Sequence, residues 1–303
     1  MVDRPPVFSL TALVLLLLLQ LQSVSAVAGP AAERVIRLGL LHGDSEPFSL
    51  PLDVLEGAFA RLDPPARLIL VDLSHMNQQR ALISMSNDQA PFDLFFSGYS
   101  KQRQENLLQV DIPLTMGLLG ARVLVVNADR AAALNQQLAH PDVVQSIMIG
   151  SGIHWPDTDI LEYNGYQILR GKYQGLWKML RSRRIDAFAR GIEEAFGEIE
   201  KRRHVTPAPV ILDRWLLVYP LDYFIYLDPD AQALHQELTA ALQAMHRSGE
   251  FLAIVQRNRN ASSALQWLRK GKKHQTLFLE NPQLSDRLRS LPDSYWLPEV
   301  RHP

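Results

Sequence analysis

The chain has no cysteine among its 303 residues. That excludes a disulfide framework and a Cys-ligated zinc, so any fold must be held by ordinary cores. Charge of one sign is not in excess either: 31 Lys and Arg stand against 32 Asp and Glu, a net −1. The basic footprint of a nucleic-acid binder is missing, and no nucleic acid is expected as a partner. No Gly-x-Ser-x-Gly elbow occurs, and Gly150-Ser151-Gly152 does not supply one. His42, Asp44, His154, Asp157 and Asp159 include no pair at tight ligand spacing on one helix, so neither a metal nor a cofactor is expected. The Asp/Glu pairs read as helix-surface charges without the apolar setting that tunes a general acid. No enzyme is expected.

Long apolar runs are also scarce. One lies near the N-terminus, over residues 8–19, preceded by Arg4 as its single basic residue. At about 12 residues it falls short of the roughly 20 that span a bilayer. Gln20, Gln22 and Ser23 follow, then Val24-Ser25-Ala26 and Ala26-Val27-Ala28, whose small residues suit signal peptidase. Residues 1–26 therefore read as a signal peptide cleaved after Ala26, with Ala28 as the other candidate. With no cysteine to carry a lipid, the expected location is the periplasm, free and not as a lipoprotein.

What is present is an ordinary globular composition, 47% hydrophobic and 21% charged, over a length sufficient for two lobes. Apolar, β-branched-rich runs over 35–41, 66–71 and 92–96 predict strands, with helical spacing over 52–62 and 77–85 between them. A further apolar run over 118–126 predicts a strand that leaves this first lobe. The pattern then restarts. Strands are predicted over 146–150, 166–170 and 185–189, helices over 157–164, 174–182 and 192–203, and a long returning strand over 210–219. On the 192–203 helix, Ile192, Ala195, Phe196 and Ile199 form one apolar stripe, while Glu193 and Glu194 open it and Lys201 to Arg203 close it, complementing the helix dipole. Alternating strands and helices argue for an α/β fold of two lobes, each a mainly parallel sheet flanked by helices. The lobes are expected at 34–119 plus 220–260 and at 120–219, joined by two crossing strands. Residues 261–303 form an extension docked on a lobe, with a short helix over 264–270 and a short strand over 276–279.

The stretch 223–255 reads Tyr-Phe-Ile-Tyr-Leu-Asp-Pro-Asp, then a helix with Leu234, Leu238, Leu242 and Met245 on one face, then Ser248-Gly249-Glu250-Phe251. Asp228 is expected to cap this helix, with Pro229 in its first turn and Gly249 at its end. This order resembles the closing segment of extracellular solute-binding proteins of family 3, which serve bacterial ABC importers. Pro47-Phe48, Phe92-Asp93-Leu94-Phe95-Phe96-Ser97-Gly98 and Arg184-Ile185-Asp186-Ala187-Phe188 resemble further family segments, so that the likeness covers roughly 35–255. It implies a two-lobed, type II periplasmic binding protein with a ligand cleft, working as a monomer that hands a small solute to an inner-membrane ABC permease.

The sequence also departs from the family. Tyr99-Ser100-Lys101-Gln102-Arg103 stands where amino-acid-binding members carry a Thr-Pro-Glu-Arg-like run whose Arg clamps the ligand carboxylate. Arg190-Gly191 stands where those members place an Asp against the ligand ammonium, which favours an anionic group. The resemblance thus points to a small polar solute, anionic or zwitterionic and amino-acid-like. The alternative is a sensory or interaction module reporting to a membrane receptor, possessing the fold without ligand binding. Candidate ligand contacts are Phe48, Ser97, Tyr99 and Arg103 from the first lobe. The second lobe offers Arg190 and the loop carrying His154, Trp155, Asp157 and Thr158, which presents free backbone N–H groups before a helix. Salt bridging of Arg190 to Glu193 or Glu194 is compatible with such a role.

Overall fold

A computed structural model describes residues 34–41, 45–270 and 274–301. The expected signal peptide and its cleavage site, with His42 and Asp44, lie outside these residues. In chain order the strands are β1 (Arg34–Leu40), β2 (Ala66–Asp72), β3 (Leu94–Gly98), β4 (Leu108–Val110), β5 (Ala121–Asn127), β6 (Met148–Gly152), β7 (Gln167–Gly171), β8 (Ala187–Gly191), β9 (Pro209–Val218), β10 (Tyr223–Leu227) and β11 (Gln275–Phe278).

They form two sheets, ordered β2-β1-β3-β10-β4 and β11-β9-β5-β8-β6-β7. Helices flank both, and the architecture is the two-lobed α/β fold anticipated above. Parallel pairing joins β1 to β2 and β3, and β6 to β7 and β8. Antiparallel pairs occur where the chain passes between lobes, at β10 with β3 and β4 and at β5 with β8 and β9. The central strands β3, β5, β8 and β10 are buried along their whole length. Their near-continuous apolar sequences, such as Ala-Arg-Val-Leu-Val-Val-Asn in β5, match coverage on both faces.

The chain leaves the first sheet after β4, enters the second at β5, and returns from β9 to β10. The two passages touch. Tyr219 N donates to Gly120 O at 3.1 Å, and a Cβ on Gly120 would stand 2.2 Å from Tyr219 O, so only glycine permits this approach. Asp222, fully buried, accepts from Thr115 N at 2.9 Å, Thr115 Oγ1 at 2.8 Å and Gly117 N at 2.5 Å, tying one passage to the other. Burial pushes its carboxyl up to about 7, against the opposing pull of these donors.

Two local expectations need correction. The long helix spans Gln232–Ser248, starting four residues after Asp228. The Asp228 carboxylate instead accepts from Asp230 N at 2.9 Å in a turn that precedes the helix. Gly249 does end the helix, at φ 78°, but two further helices follow, Glu250–Arg257 and Arg259–Arg269. The second begins five residues earlier than its apolar spacing suggested, because the Asn258 side chain caps it, accepting from Asn260 N at 3.1 Å and Ala261 N at 3.0 Å.

Candidate functional site

The lobes enclose a cavity of about 50 Å³, room for a few waters or a solute near the size of the smallest amino acids. Its first-lobe wall is apolar apart from Gln78. Leu40 and Leu41 at the end of β1, Phe48, Phe96 on β3 and Tyr223 on β10 line it. Phe96 meets Phe48 and Tyr223 edge to face, with ring centroids 5.4 and 5.3 Å apart. Phe48 closes a short 3₁₀ turn, Glu46–Phe48, placed between β1 and the helix Ser49–Phe59.

The second-lobe wall is ionic. Arg122 on β5, Arg190 on β8, Asp157 in the first turn of helix Pro156–Tyr163 and Glu194 in that of helix Ile192–Arg202 face the cavity with Trp155 and Tyr173. Arg190 lies 3% exposed and Glu198 0%. Its Nε and Nη2 each reach a Glu198 oxygen at 2.8 Å, and Nη2 reaches Glu194 Oε1 at 2.9 Å. Trp155 and Tyr173 pack against the guanidinium, with ring centroids 4.9 and 5.5 Å away. Arg122 Nη2 approaches Asp157 at 3.3 Å, Nη1 approaches Glu194 at 3.4 Å, and Nε donates to Tyr219 OH at 3.1 Å. Glu194 also accepts from Tyr223 OH at 2.7 Å, a bond from the first lobe to the second.

These contacts govern the ionisation states. Burial opposes charge on Arg122, but Asp157, Tyr219 and Glu194 outweigh it and hold the guanidinium protonated. Arg190 behaves alike, with Glu194 and Glu198 overriding burial. Burial raises Glu198, while Arg190 and Tyr173 pull it back. Glu193 is raised well above the carboxylate range, first by burial and then by Glu194, and neither of its oxygens has a hydrogen-bond partner.

The surface reading of these glutamates is therefore overturned: Glu193, Glu194 and Glu198 are buried, while Phe196 and Ile199 of the apolar stripe are only half-buried. Their helix is covered from several sides. Gly197 sits so close to Glu46 and Asn260 that a Cβ would meet their side chains at 2.7 and 2.8 Å.

Of the residues singled out from the sequence, the cavity gathers Phe48, Trp155, Asp157 and Arg190. The others are placed differently. Ser97 is buried, and its Oγ accepts from Arg103 Nη1 at 2.9 Å. Arg103 further donates to Gly98 O, to Gln78 Oε1 at 2.6 Å and across the lobes to His154 O at 3.1 Å. Burial lowers it to about 10. Arg103 and His154 line a separate cavity of about 280 Å³ at the lobe boundary. Tyr99 is buried against the C-terminal segment, its OH donating to Gln283 O at 3.1 Å. Thr158 Oγ1 bonds Gly152 O at 2.8 Å and Ser151 Oγ at 2.6 Å, holding the loop before its helix.

Arg122, Tyr173, Glu194 and Tyr223 line the cavity without having been singled out. A signal existed for one of them: Arg190, Glu194 and Glu198 recur every four residues through a strand end into a helix, the spacing of a single face. Arg122 sits inside an apolar strand and carried no such signal. No group of three or more His, Asp or Glu able to hold a metal occurs among the described residues, and no helix among them is long and apolar enough to cross a membrane.

No family model matches the chain, and no curated protein matches it. Solved structures do match in fold. An ancestral arginine-binding protein bound to glutamine is 12% identical, with a TM-score of 0.56 over 75% of this chain and 98% of that one. The arginine-binding protein of T. maritima, as its P235GK mutant, is 17% identical at a TM-score of 0.54, covering 74% and 94%. A Salmonella typhimurium periplasmic binding protein with high arginine specificity is 13% identical at 0.54, covering 74% and 98%. This chain shares the fold of amino-acid-binding periplasmic proteins.

Proposed function

We propose that the protein is a periplasmic solute-binding protein that closes its two lobes on a small zwitterionic, amino-acid-like solute. One observation carries the reading: the ionic wall of the cleft presents both signs to the cavity, Arg122 and Arg190 beside Asp157 and Glu194, opposite an aromatic wall. A zwitterion can exchange partners with such a wall without burying net charge, whereas a plain anion would leave Asp157 and Glu194 uncompensated. In this reading the solute carboxylate turns to Arg122 and Arg190 and its ammonium to Asp157 and Glu194. Trp155, Phe48, Phe96 and Tyr223 enclose its apolar part. Residues 1–26 act as the cleaved export signal, the chain works as a monomer, and the partner is an inner-membrane importer of the ABC type.

A thermal-shift titration against amino acids, organic acids, polyamines and sugars tests the proposal. A small amino acid should raise the midpoint with concentration, reaching about 2.7 kcal/mol of added stability at a hundred times its Kd. If organic acids shift it and amino acids do not, the zwitterion assignment is refuted. A second reading has its own support: both guanidinium groups are already ion-paired within the chain. The cleft is thus electrostatically closed without any solute, as a sensory or interaction module that does not bind one requires. A midpoint unmoved by every class would favour that reading.

A further inference from the structure

We infer that residues 279–297 form a further connection between the lobes, beyond the two crossing strands, a strap that keeps the cleft shut when no solute is present. The segment is fastened alternately to both sides. On the second lobe, Leu279 N donates to Val218 O at 2.8 Å, and Asn164 clasps the Glu280 backbone, donating to its carbonyl at 2.8 Å and accepting from its N–H at 3.1 Å. Asn281 Nδ2 next bonds Pro220 O at 2.7 Å, on the returning passage. On the first lobe, Tyr99 OH donates to Gln283 O at 3.1 Å and accepts from Ser285 N at 3.3 Å. Arg287 pairs with Asp111 and donates to Gln109 O at 3.1 Å. Leu297 N finally bonds Met116 O at 3.0 Å on the outgoing passage.

A hinged cleft opens by rotating one lobe against the other about its connecting passages. Here Glu280 and Ser285 are held to opposite lobes with only a few residues between them. A peptide reaches at most about 3.3–3.6 Å per residue, so wide rotation must detach one set of bonds. The bridging bonds Tyr223 to Glu194 and Arg103 to His154 add to the same restraint. Opening of the cleft therefore requires release of the strap, whichever solute the cleft takes.

The absence of cysteine makes a direct test simple. Cysteines introduced as Leu70→Cys in the first lobe and Tyr163→Cys in the second, both at exposed side chains, carry spin labels. Electron–electron double resonance then reads the interlobe distance with no solute added. The parent should give one narrow distribution. A strap loosened at the first lobe (Tyr99→Phe with Arg287→Ala), or at the second by loss of its side-chain bonds (Asn164→Ala with Asn281→Ala), should add a longer-distance population. A longer population already present in the parent overturns the inference. So does a single narrow peak that persists in the loosened proteins. Should one loosened protein fail to fold, the other decides.

Discussion

The first lobe meets the cleft with rings, Phe48, Phe96 and Tyr223, whereas the second meets it with Arg122, Asp157, Arg190 and Glu194. Rings tolerate exchange because packing is non-directional and a neighbour can shift to fill space. Buried ion pairs do not, since each partner is desolvated and relies on the others for compensation. One wall can therefore drift in shape while the other must keep its members together. Under the proposed function, discrimination between solutes would be concentrated in the ionic wall.

Breaking the ionic wall should have the largest effect. Arg190→Ala leaves Glu198 buried without its cation and Glu194 with Arg122 alone, and urea unfolding should show a loss of about 3–5 kcal/mol. Glu193→Gln sharpens the contrast in the opposite direction, because it removes a buried carboxylate that has no partner. The folded-state value of Glu193 is raised, so its contribution to stability is complete below about pH 4.3 and is lost as pH rises from there. The variant should equal the parent near pH 4 and exceed it as pH rises above the unfolded carboxylate value, levelling at a gain of about 1–3 kcal/mol. A variant less stable than the parent at pH 8 would contradict the absence of a partner for that side chain. Phe96→Leu on the aromatic wall should cost less than about 1.5 kcal/mol, a near volume-conserving swap. Smallest of all, Arg170→Ala at a half-exposed pair with Asp159 and Glu162 should change stability by about 0–1 kcal/mol, less at high salt.

The same contrast explains what could be read from sequence. The strands, the restart of the α/β pattern and the Gly249 stop follow from periodicity and glycine conformation, which are local properties. Phe48 and Trp155 were accessible because a short aromatic motif after a strand end places a ring at a cleft. The ionic wall was not accessible, because a glutamate in a helix reads as solvent-facing unless the cover over that helix is known. That cover comes from Glu46 and Asn260, distant in sequence from Gly197, which they meet. Tyr99 and Arg103 show the converse, long-range bonds that sequence could not reveal. Their position beside Gly98 suggested ligand contact, while long-range bonds to Gln283 and His154 account for both side chains. Asp228-Pro229 suggested a helix start by local chemistry, and a turn took its place.

Strand β11 carries a consequence separate from the cleft. Without it, β9 would present the backbone of Trp215–Val218 as an unpaired margin of the second sheet, a template for joining another copy edge to edge. With it, that stretch is paired by a strand of only four residues, too short to template much pairing. Removing the C-terminal segment should therefore bare that stretch of the sheet and lower solubility.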